Sequence, residues 1–156
     1  MTEFTAKKLG EVLAFCRTGL LLAEKSGEAM VGALGDGEDL KFAAELKSHA
    51  SDLELIANGQ NVQDITFPKA EKTGAKLKQM MELYVGQEWG NPSEIMEWMG
   101  FFEGSAIVHW QLVVGSAEAL MDENLLQLSQ HAVDFHRATL TKVGDALRKI
   151  GAKKTK

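Results

Sequence analysis

Apolar residues recur along the chain at three- and four-residue intervals, the spacing of helices that bury one face, and the pattern predicts five of them. Helix one is predicted from about Phe4 to Leu34, with Leu9, Val12, Cys16, Leu20, Ala23, Met30 and Leu34 along one side. GDGED, residues 35–39, closes a turn, and helix two follows from about Leu40 to Asn58, carrying Phe42, Leu46, His49, Ala50, Leu53 and Ile56 inward. Asn58-Gly59 signals the next turn. A longer connection, 59–67, leads to a third, shorter helix from about Pro68 to Glu88, in which Leu77, Met80, Met81, Tyr84 and Val85 face inward.

Both prolines stand where the apolar pattern restarts, a position tolerated in a first helical turn. Asn91-Pro92-Ser93-Glu94 opens helix four, which is apolar on two sides: Ile95, Met99, Phe102, Ala106, Val113, Ala117 and Leu120 on one, Trp98, Phe101, Val108 and Leu112 on the other. Such a helix needs cover on both sides, from helix three or from a second copy of the chain, so a homodimer is expected. Met121-Asp122-Glu123-Asn124 leaves room for a tight turn. Helix five then buries Leu125, Ala132, Val133, His136, Leu140, Val143, Leu147 and Ile150, and the basic tail 152–156 is expected to fray. Two helical hairpins joined through an extra shorter helix predict an all-α, antiparallel four-helix bundle in a single domain over 1–156.

Composition narrows the function classes. A formal charge of −5 gives no general electrostatic reason to bind nucleic acid or an anionic membrane. No run approaches the apolar length of a membrane span, and MTEFTAKKLGEV lacks the core of a signal peptide. The single cysteine, Cys16, has no disulfide partner in the chain and sits at an apolar helical position, so a buried filler and a reducing cytoplasm are expected. The chain contains no glycine-rich phosphate loop, nucleophile elbow, Cys-x-x-Cys or Glu-His metalloprotease motif.

The remaining chemistry lies in the histidines. His136 falls near the middle of helix five's apolar face, and His49 about 40° from the middle of helix two's. Counted from the turns near residues 37 and 123, they lie about 12 and 13 residues along, hence at similar depth. His109, before the second turn, is expected to join them, giving a buried layer of His49, His109 and His136 with Glu24 or Glu103 as a carboxylate ligand. Three neutral imidazoles with a carboxylate or water suit zinc, iron or nickel. The competing expectation is a layer with no metal, each ring bonded to a carbonyl, hydroxyl or carboxylate, Ser26 and Ser129 being the local partners. His131 and Asp134 fall off the apolar face of helix five and are expected at the surface.

SHASDLEL at 48–55 and QHAVDFHR at 130–137 share His-Ala-x-Asp in the second helix of each hairpin, as two related halves would. Residues 95–147, with LKFAAELKSHASDLELIANG at 40–59, resemble the ferritin-like superfamily, and within it the bacterial stress-associated ferritin-like proteins. The resemblance implies a ferritin-like bundle. That superfamily places glutamates on helices one and three and Glu-x-x-His on helices two and four; this chain has no Glu-x-x-His, and Leu20, Ala23 and Ala106 occupy the inward positions while Glu24 and Glu103 project to the flanks. His49 and His136-Arg137 also resemble the DinB-like putative metalloenzymes, which pair two histidines four apart in the last main helix. Here His131 and His136 are five apart, about 140° around a helix, and position 132 is Ala.

Overall fold

The computed structural model describes residues 1–156. It is all-α: α1 (Glu3–Leu34), α2 (Glu38–Gly59), α3 (Gln63–Val85), α4 (Pro92–Leu120) and α5 (Glu123–Lys154). No helix is long and apolar enough to cross a membrane. Three starts are capped by side chains, where a polar oxygen satisfies a backbone N–H that the helix leaves free: Thr2 accepts from Thr5, Asn91 from Ser93 and Asp122 from Leu125. Gly37, before α2, and Met121, after α4, adopt left-handed backbone that turns the chain between antiparallel neighbours.

Helix α1 is the centre of the packing, lying against α2, α3 and α4, while α4 and α5 pack along each other as a hairpin. Every residue from Leu9 to Cys16 is buried, so α1, not only α4, is covered on more than one side. Glu11 within that run is held by Lys8 at 3.0 Å and Lys69 at 3.4 Å. Further along, Ser26 interrupts the helical backbone with φ −128° and ψ 21°, and its hydroxyl donates to the Leu22 carbonyl.

Two glycines set the close approaches to α1. A Cβ on Gly10 would lie 2.5 Å from the backbone oxygen of Thr66 in α3, and one on Gly19 would meet the side-chain end of Leu46 in α2. Contact at Gly10 explains why α3 starts at Gln63 rather than Pro68. Thr66 is fully buried and donates its hydroxyl to the Ala6 carbonyl, so tertiary contact holds the preceding turn helical and Pro68 lies inside the helix at an exposed position. The expected long connection shrinks to residues 60–62, and α3, with 23 residues, is not shorter than α2 with 22. The tail expected to fray is helical to Lys154.

Candidate metal site at the α2–α5 cleft

Helices α2 and α5 touch only lightly, leaving between them a cleft of about 530 Å³ lined by polar groups that include Glu45, His49, Asp52 and His131. His49 lies on the buried stripe Phe42, Leu46, His49, Leu53 and is 2% exposed. Glu45, one turn earlier, and the exposed His131 of α5 stand at the mouth. The ligand atoms of Glu45, His49 and His131 all lie within 4.8 Å of one another. Oε2 of Glu45 is 3.3 Å from Nε2 of His131 and 3.4 Å from Nε2 of His49. Neither buried ring nitrogen of His49 has a protein hydrogen-bond partner. Burial, reinforced by the neighbouring His136, pushes the His49 pKa down to about 4, so its ring is neutral near pH 7. A neutral, unpartnered imidazole is the form that ligates a metal.

Deeper in the core, Nδ1 of His136 donates to Oε2 of Glu103 at 2.5 Å, and both side chains are fully buried. Burial raises the Glu103 carboxyl above its ordinary range, opposed by the bond and charge of His136. Nε2 of His136 and Oε1 of Glu103 have no protein partner. A ring whose Nδ1 is engaged by a carboxylate presents Nε2 in a fixed orientation, the support that metal-bound histidines usually have. The centroids of His49 and His136 are 6.5 Å apart, and those of His49 and His131 are 5.5 Å apart. Two imidazoles sharing one ion, with each nitrogen about 2.1 Å from it, have centroids roughly 5–6 Å apart. His131 meets this spacing, and His136 lies just beyond it.

The expected layer is therefore partly rearranged. His49 and His136 are neighbours, but His109 is elsewhere: its Nδ1 donates to the Ser105 carbonyl at 2.7 Å and its ring packs on Phe15 at 4.8 Å. The buried stripe of α4 runs Glu103, Ala106, Trp110, Val113, Ala117, so Trp110 takes the core position facing His49, with centroids 5.9 Å apart. His109, one residue earlier, is turned about 100° away. Glu103, expected on a flank, belongs to this buried stripe because α4 packs against both α1 and α5 there. Glu24 is exposed on α1. The α1 residue near Glu103 is Cys16, whose thiol burial raises to about 12, with the Glu103 charge adding to the effect; Glu24 lies about 12 Å further along the helix axis.

Ser26 and Ser129 bond to the carbonyls of Leu22 and Leu126, not to a histidine. His131 is at the surface as expected, yet it leans onto His49, so the histidines of the two His-Ala-x-Asp segments face each other. Glu45 gave a weak sequence signal, one turn before an inward histidine; its meeting with His131 depends on how α2 and α5 splay. The chain matches no protein-family model, no curated protein and no solved structure.

Proposed function

We propose that this protein binds one transition-metal ion at the α2–α5 cleft, with Glu45, His49 and His131 as ligands and the His136–Glu103 pair behind them. The observation that carries this reading is the gathering of these three ligand groups within 4.8 Å around a buried histidine whose nitrogens lack protein partners. Ligands of a tetrahedral ion are about 3.3–3.7 Å apart, so a movement of about 1 Å by the side chains at the cleft mouth closes the set. Two imidazoles and a carboxylate would suit zinc, iron or nickel, and three protein ligands would leave a coordination position open. An open position of that kind supports hydrolytic or redox chemistry. We read α1, α2, α4 and α5 as a four-helix bundle of ferritin-like type with α3 laid along α1, and the lone buried thiol fits a reducing cytoplasm. Elemental analysis of protein purified without chelator tests the site. We expect near-stoichiometric metal in the wild type and none in His49→Ala/His131→Ala; an empty wild type after reconstitution with iron, zinc and nickel would refute it.

A second, non-enzymatic reading rests on α4. Trp98 is covered, but Val108 and Leu112 are 59% and 44% exposed on a stretch, Gly104 to Ala117, with no charged residue. A homodimer through this face would bury them. Sedimentation equilibrium decides it: a dimer dissociated by Val108→Lys is expected, and a monomer at all concentrations rejects it.

A further inference from the structure

Between α3 and α4 runs a groove of about 460 Å³, of the size that takes a small organic molecule, and it is independent of the metal cleft. Its lining is apolar apart from Ser105 and contains no charged side chain. The walls are mostly aromatic. Tyr84 lies 5.8 Å from Trp98 and 5.3 Å from Phe101, and Trp98 lies 6.4 Å from Phe102, at tilted or edge-on angles. Phe101 is 64% exposed although it touches Tyr84, so α3 covers this cluster only in part.

A carboxylate stands at the Tyr84 edge of the groove. Tyr84 donates its hydroxyl to Oε2 of Glu97 at 3.3 Å. Besides burial, the charges of Glu97 and Glu94 raise the Tyr84 pKa. Lys78 and Lys25 both pair with Glu82. Aromatic faces carry negative quadrupole density and attract cations, more strongly where water is excluded. Carboxylates on the same rim add to that attraction and oppose anions.

We propose that this groove binds an apolar organic cation, its charge held against the exposed rings of Tyr84 and Phe101 and beside Glu97. The test is fluorescence titration with ethidium, a planar aromatic cation, and with 8-anilinonaphthalene-1-sulfonate, an anion of similar size. Saturable one-to-one binding of ethidium is expected, weakened by salt, with the sulfonate binding at least tenfold more weakly. Phe101→Ala and Glu97→Gln, both at exposed positions, should each lower ethidium affinity by a factor of about 3–10 while leaving the circular dichroism spectrum and Tm unchanged. Sulfonate binding as tight as ethidium would overturn the proposal, as would ethidium affinity indifferent to Phe101. A dimer that Phe101→Ala dissociates, with no ethidium bound to either form, would show that a second copy of the chain fills the groove instead.

Discussion

Glu103 and His136 stand 33 residues apart in sequence, on α4 and α5, and meet as a fully buried pair with Oε2 2.5 Å from Nδ1. Removing one partner of a buried pair strands the other away from water, whereas removing both leaves apolar packing. Glu103→Leu is therefore expected to cost about 3–5 kcal/mol of stability, and Glu103→Leu/His136→Leu to regain most of it. Urea unfolding of the three proteins measures this. Equal losses in the single and double variants would mean that the pair adds nothing beyond volume.

His109 and Glu24 should be silent toward metal, since one is bonded to its own helix and the other is exposed on α1. We expect His109→Ala and Glu24→Ala to retain wild-type cobalt binding, read from visible absorption, while Glu45→Ala weakens it by at least tenfold. Loss of binding in His109→Ala would restore the three-histidine layer that helical spacing suggests.

Glycine positions should divide by what surrounds them. A Cβ at Gly10 meets a backbone oxygen at 2.5 Å and forces α3 away from α1, whereas Gly104 has nothing within 4 Å. Gly10→Ala should destabilise by about 1–3 kcal/mol. Gly104→Ala should stabilise by roughly 0.5–1 kcal/mol, because alanine favours helix and restricts the unfolded chain. Thermal melts of both variants give the sign directly.

Acid should weaken the fold through His49. Its folded pKa of about 4 lies below the ordinary 6.5, so between these values the unfolded chain binds more protons. The contribution is fully present above pH 6.5 and is lost as pH falls toward 4. Glu103, raised by burial, acts in the opposite sense, but it cancels in the difference between wild type and His49→Leu. That difference should shift by roughly 5 °C in Tm across the window; a difference constant with pH would place His49 in contact with solvent.

The sequence by itself determined that the chain is helical, where α4 begins, and that His49 and His136 face inward. These features follow from local causes: apolar spacing at the helical period, and Asn91 and Pro92 at a helix start that needs an acceptor and a fixed φ. Local pattern misjudged α3, because Thr66 and Gly10 meet across 56 positions of chain and that contact carries the helix past Pro68. It also misjudged Glu103, whose charge suggests a flank until its partner on α5 is known. Glu45 and His131 are each unremarkable on their own helices. Only the tertiary structure decided that they converge on His49, because the splay of α2 from α5 depends on what every helix packs against, and periodicity along one helix carries no information about the distance to another.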